Sequence, residues 1–135
     1  ISNIQLESPD WVFTKGLSKN EFNISIDNQY VGDQYVDGTE SAFSKLPAYH
    51  FLNSTINYSI KKNDQTKWQL QLRWNNITNE LYEANGWIYR FKSPSYNPVA
   101  DDSYTQSEGN DFYSQKGLYP QAGSNVLVTA KLFFH

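Results

Sequence analysis

The 135-residue chain contains no cysteine and no methionine. Without cysteine there is no disulfide framework and no thiolate chemistry. The chain opens on Ile1, with neither an initiating methionine nor a leader-like segment, so it is read as a processed product or a piece of something longer. No apolar run approaches the roughly 18 residues that mark a transmembrane helix. Positive charge is not in excess: the formal net charge is −3, and no nucleic-acid footprint is expected. Histidine occurs only at His50 and His135, far apart and without carboxylate or cysteine partners at ligand spacing. That spacing argues against a metal or catalytic role. Asp101, Asp102, Glu108 and Asp111 form an acidic segment, but Gln106 stands where a calcium-binding helix–loop–helix needs glycine, so a solvated acidic loop is the better reading. No glycine-rich phosphate loop and no nucleophile elbow occur. Neither enzyme activity nor a cofactor is expected.

What the chain has is aromatic residues, 16 % of the sequence, and alternation. In Thr66 to Tyr82, Trp68, Leu70, Leu72 and Trp74 occupy the even positions, with Gln69, Gln71, Arg73 and Asn75 between them. A strand has a side-chain period of two, so one face is apolar and the other polar. Trp11 to Leu17, Glu21 to Tyr30, Tyr49 to Ile60 and Ser124 to Phe134 read as further strands, and Pro9 interrupts a weaker one at Ile1 to Ser8. Phe22, Ile24, Leu52, Ile56, Val128 and Leu132 join Leu70 and Leu72 on the apolar side. Four Asn-x-Ser/Thr triplets, at Asn23, Asn53, Asn57 and Asn76, arise from polar faces rich in these residue types and are not read as glycosylation sites.

The connections alternate in length. Ser18 to Asn20 and Lys61 to Thr66 are short, the second holding Asn63-Asp64. Gly32 to Leu46 and the irregular stretch from Glu83 to Tyr119 are long, with a short strand around Trp87 to Phe91 within the second. Antiparallel neighbours put both long loops at one end. Outer-membrane barrels are built this way, with short periplasmic turns, long extracellular loops and aromatic girdles. A half-buried sheet of a soluble β-sandwich is the alternative. The fold class is therefore all-β, an antiparallel transmembrane β-barrel of which about five strands are present. Since single-chain barrels begin at about 8 strands, the remaining strands lie elsewhere.

Three motifs bear on this. Tyr30-Val31-Gly32-Asp33-Gln34-Tyr35-Val36-Asp37-Gly38-Thr39 resembles the Tyr-Val-Gly-x-Gln-Tyr-x-Asp-x-Thr run of bacterial TonB-dependent outer-membrane receptors. Asn75-Asn76-Ile77-Thr78-Asn79-Glu80-Leu81-Tyr82 resembles their Asn-Asn-Leu-Phe-Asn-x-x-Tyr motif. Tyr119-Pro120-Gln121-Ala122-Gly123 resembles the segment that opens their final strand. Thr78 stands where Phe is common, Ser124 where a basic residue often follows, and His135 lies beyond the usual terminal aromatic. The resemblance covers nearly the whole chain, 1–135, as the C-terminal part of such a barrel. It implies a barrel of about 22 strands with a plug. It also implies outer-membrane lipid around the barrel, an inner-membrane energy-coupling protein engaged through an N-terminal part absent here, and a small-molecule substrate. Ferric siderophore, haem, cobalamin and oligosaccharide all remain open as that substrate. The implied localisation is the outer membrane of a Gram-negative bacterium.

If loops capture the substrate, the longer one supplies Trp87, Tyr89, Arg90 and Tyr96, large side chains that cover a ligand at modest entropy cost. A loop packing on its own side chains is the alternative. Residues 93–109 are expected to lie outside the ladder and to tolerate deletion. A soluble β-sandwich carbohydrate-binding module, using the same aromatic residues, is the second functional reading.

Overall fold

A computed structural model describes residues 2–7, 11–15 and 18–134. Its strands are β1 (Ser2–Glu7), β2 (Trp11–Lys15), β3 (Ser18–Val31), β4 (Gln34–Tyr35), β5 (Lys45–Leu46), β6 (Tyr49–Lys62), β7 (Gln65–Asn75), β8 (Glu83–Lys92), β9 (Thr105–Gly109), β10 (Phe112–Pro120) and β11 (Asn125–Leu132). Among the described residues the only helices are single 3-10 turns at Ala42–Ser44 and Pro98–Ala100, so the protein is all-β with antiparallel sheets. The chain forms two compact units. One comprises Ile1–Val31, His50–Glu80 and Ala122–His135; the other comprises Gly32–Tyr49 and Leu81–Gln121.

The first unit is one sheet in the order β1-β3-β6-β7-β11, with β2 also pairing β3. β1 lies along the later half of β3 (Ile4 opposite Asn28) and β2 along the earlier half (Trp11 opposite Phe22), so the two follow one another along the same edge. The expected interruption at Pro9 lies outside the described residues, as do Leu17 and His135. Consecutive strands lie side by side in a meander.

The turn between β6 and β7 shows why the sequence makes a hairpin there. Asn63 and Asp64 have φ of 53° and 59°, the left-handed pair that a two-residue primed turn requires and that Asn and Asp tolerate best. β3 begins at Ser18, so Ser18 to Asn20 is strand rather than turn. The strand expected over Thr66 to Tyr82 ends at Asn75.

Register keeps each alternating face intact across the sheet. Leu70 faces Tyr58 on one side and Ala130 on the other; Leu72 faces Ile56 and Val128; Trp68 faces Ile60 and Leu132. On the opposite face Gln71 Nε2 donates to Asn57 Oδ1 at 2.8 Å, and Lys61 Nζ pairs with Glu21 Oε2 at 2.7 Å. Every described strand of this unit belongs to this one sheet, and large apolar side chains on it stay exposed, among them Ile4, Ile26, Leu70, Val126, Val128 and Leu132. Leu132 is 71 % exposed. Among the described residues of this unit, Val31 and Phe51 are the buried apolar ones.

The second unit holds the short strand expected around Trp87 to Phe91, within β8, and otherwise departs from the expected irregular stretch. β8, β10 and β9 form a three-stranded sheet, in that order. Asn110 and Asp111, with φ of 51° and 62°, close the β9–β10 hairpin by the same left-handed pair seen at Asn63-Asp64. Residues 93–109 therefore do not lie wholly outside a ladder: Thr105, Gln106, Ser107 and Gly109 pair with β10. The loop expected over Gly32 to Leu46 is also organised, with β4 paired to β5 and a 3-10 turn capped by Ser41, whose Oγ accepts from Phe43 N at 3.2 Å.

Candidate functional site

Two of the three motifs meet in the first unit. Asn76 is 3 % exposed and has φ of 49°. Its Nδ2 donates to the carbonyls of Glu80 (2.8 Å) and Ala122 (3.2 Å), and its Oδ1 accepts from Glu80 N at 2.9 Å and Thr78 Oγ1 at 3.3 Å. Asn79 Oδ1 accepts from Ser124 N at 2.9 Å. A Cβ on Gly123 would lie 2.8 Å from that oxygen, so only glycine admits the contact without a shift. The asparagines thus tie the exit of β7 to the entry of β11, and Asn was needed for both its amide and its tolerance of positive φ.

The first motif does similar work in the second unit. Asp33 Oδ2 pairs with Lys45 Nζ at 2.7 Å and its Oδ1 accepts from Ala48 N at 3.0 Å. Lys45 and the Ala48 amide hold the Asp33 carboxyl below the usual range, and Asp33 raises Lys45 in return. Asp37 Oδ1 accepts from both the N and Oγ1 of Thr39, and its Oδ2 pairs with Arg90 Nη1 at 2.9 Å. Partial desolvation works to raise the Asp37 carboxyl, but the bonds from Thr39 and Ser44 and the Arg90 charge outweigh it and keep it low.

The four expected ligand residues do not form one surface. Trp87, Tyr89 and Phe91 alternate onto one face of β8, and Arg90 lies on the other. Arg90 is committed within the protein: Nε to Glu108 Oε1 at 2.8 Å, Nη1 to Asp37 and to Thr39 Oγ1 at 2.7 Å. Its Nη2 is buried with no acceptor among the described residues. These contacts tie β8 to β9 and to the Asp37–Thr39 segment. Tyr96 is exposed in the β8–β9 connection, its carbonyl accepting from Ser93 Oγ at 2.7 Å. Tyr89 stacks on Phe91 at 5.7 Å, and Phe91 on Tyr113 at 5.9 Å.

Trp87 lies against Gly117, its partner across the strands; a Cβ there would sit 2.2 Å from the indole Nε1. Beside it opens a cleft of about 310 Å³ lined by Trp87, Asp102, Tyr104, Gln115, Lys116 and Gly117. Asp102 is locked: Oδ1 accepts from Tyr104 N at 2.9 Å, and Oδ2 from Thr105 Oγ1 at 2.9 Å and from Gln115 Nε2. Those donors, the Tyr104 amide first, hold its carboxyl below the usual range. Tyr104, Asp102, Gln115 and Gly117 were not expected as site residues. The signal that points to them is the Asp-x-Tyr turn at Asp102 and a glycine opposite a tryptophan, a pairing in which the ring replaces the missing side chain. Among the described residues no group of His, Asp and Glu side chains is arranged to hold a metal ion. No family model, no curated protein and no solved structure matches the chain.

Proposed function

We propose that this chain is the C-terminal part of the β-barrel of a TonB-dependent outer-membrane receptor. The complete protein imports a scarce small-molecule nutrient and catalyses no reaction. The observation that carries the proposal is the two-faced sheet of the first unit. Apolar side chains on one face are exposed on β1, β3, β7 and β11 (Ile4, Ile26, Leu70 and Val128) and half-buried on β6, while its polar face is laced by Gln71–Asn57 and Lys61–Glu21 contacts. In water so large an uncovered apolar face is a liability. Against lipid it is the stable side, and the polar face suits a hydrated lumen holding a plug.

Three further features support the assignment. β3 and β7 both run out into long connections and both hairpin ends at the other side are short, the asymmetry of outer-membrane barrels. Trp74, at the long-connection end of β7, has its indole Nε1 bonded to Ser124 Oγ at 2.8 Å, an arrangement suited to a polar–apolar boundary. The free edges of the β1–β2 line and of β11 call for more strands, because unpaired backbone groups in lipid cost several kcal/mol each. The plug, the other strands and the segment that engages the inner-membrane energy-coupling protein belong to the rest of the receptor.

The test is partition of the complete natural protein. The receptor reading expects it in the outer-membrane fraction, soluble only with detergent and heat-modifiable on gels. Recovery as a monodisperse aqueous protein without detergent would reject it in favour of a soluble β-sandwich carbohydrate-binding module.

A further inference from the structure

The cleft beside Gly117 has a chemistry that narrows the substrate. Two aromatic rings flank it, and both are open to solvent: Trp87 is 45 % and Tyr104 76 % exposed. An exposed tyrosine and an exposed tryptophan at one cleft present apolar ring faces that water leaves poorly solvated. The cleft surface is mostly apolar, and the polar side chains at its wall, Asp102 and Gln115, are held rigid. Gln115 Nε2 donates to Asp102 Oδ2 and, at 3.2 Å, to Thr105 Oγ1, so the side-chain amide is fixed through its nitrogen. Asp102 cannot swing away, because three protein donors hold its two oxygens.

We infer that this cleft binds a neutral sugar ring, its C–H face stacked on Trp87 and Tyr104 and its hydroxyls donating to the Gln115 carbonyl and to Asp102. As a substrate-capture site the inference rests on the receptor assignment, since it names the substrate class of that importer. The charge pattern argues against the alternatives. A fixed carboxylate on the cleft wall disfavours an anionic ferric catecholate. The one cation of the lining, Lys116, places its Nζ 3.4 Å from the Lys45 carbonyl. At about 310 Å³ the space is at the lower end of small-molecule sites, suited to one or two pyranose rings and too small to enclose a tetrapyrrole. Trp87 serves two ends: one part of the indole covers Gly117, and its exposed part stacks on the ligand.

The experiment uses the complete natural protein in detergent micelles, labelled with 5-fluorotryptophan. The probes are maltohexaose, cellohexaose and xylohexaose, with a ferric tricatecholate as the anionic comparison. Trp87→Phe identifies the Trp87 fluorine resonance by its loss. At least one neutral hexaose is expected to move that resonance saturably. Tyr104→Ala, a change at an exposed ring, is expected to weaken the binding about tenfold, the scale of one lost ring stack. The inference is overturned if no hexaose moves the resonance, if only the ferric tricatecholate does, or if Tyr104→Ala binds as tightly as the parent. The receptor assignment is judged separately, by the need for detergent and by heat-modifiability of the same sample. Sugar binding by a protein that needs no detergent would retain the cleft and reject the receptor.

Discussion

Replacing Asn76 by alanine strikes the point where the exit of β7 is bound to the entry of β11. The side chain makes two donor and two acceptor contacts, and the residue is almost wholly buried. The bond from Thr78 is long and contributes least. The other three, with Glu80 N, Glu80 O and Ala122 O, are each worth about 1 kcal/mol net, and more where the abandoned backbone group stays dry. Alanine at a φ of 49° adds about 1–2 kcal/mol of left-handed strain that asparagine tolerates better. The sum is about 4–5 kcal/mol. Asn76→Gly removes the same bonds without the strain, so it should be the milder of the two by about 1 kcal/mol. Guanidinium titration of the complete protein, followed by tryptophan fluorescence, measures the loss. Hydrogen exchange at the Glu80 amide reports whether the connection itself has opened. An Asn76→Ala protein within about 0.5 kcal/mol of the parent, with the Glu80 amide still protected, would refute the argument.

Four further outcomes follow from the same geometry. Arg at Leu70, on the apolar face, should cost about 2–4 kcal/mol of stability in a bilayer, and Arg at Gln71 much less; equal losses in vesicle unfolding assays would reject the assigned faces. Arg90→Ala leaves Asp37 and Glu108 without their shared cation and should destabilise the second unit, seen as faster hydrogen exchange in β8 and β10; a change confined to ligand affinity would return Arg90 to the binding site. Asp33 has a folded pKa below its ordinary 3.8, so the Asp33–Lys45 tie contributes above that value and is lost as pH falls below it; acid titration should expose the Ala48 amide, and an Ala48 resonance unmoved by acid would break the assignment. Deleting residues 93–109 removes β9 and frees the edge of β10, so it should lower the protection of β10 amides; unchanged protection would mean that the β9 ladder holds nothing.

The first unit was legible because its strands obey one rule on both faces. Trp68, Leu70, Leu72 and Trp74 alternate without exception, and the register sets them against Ile60, Tyr58, Ile56 and β11 in the same parity. Asn63-Asp64 was legible because left-handed turns select a short list of residues. In the second unit the strand around Trp87 to Phe91 was legible, but β9 and β10 were not, for a physical reason. β9 reads Thr-Gln-Ser-Glu-Gly and has no apolar face, and β10 is broken by Gly117 and ends on Pro120. Those strands are specified by backbone pairing and by the Asn110-Asp111 turn, not by burial of alternate residues. That turn carries the same chemistry as Asn63-Asp64 and was the usable signal.

The ligand residues divide along the same line. Trp87, Tyr89 and Arg90 are near neighbours in sequence, and grouping them as one capture surface ignores the parity of the short strand expected there. On a strand, parity separates them: 87 and 89 share a face and 90 opposes it. An arginine between two carboxylates then becomes a brace. Its place beside Trp87 is taken by Tyr104 and Gln115, which only the β8-β10-β9 pairing brings near. A cleft assembled from two strands and a turn has no linear signature. What the sequence does hold is the pair of constraints that build it: an Asp102 side chain that can lock the turn carrying Tyr104, and a glycine at 117 that lets an indole lie flat on the sheet. Gly117→Ala is therefore the change that most directly links fold to site, because the added methyl must push the indole aside before any ring can stack on it.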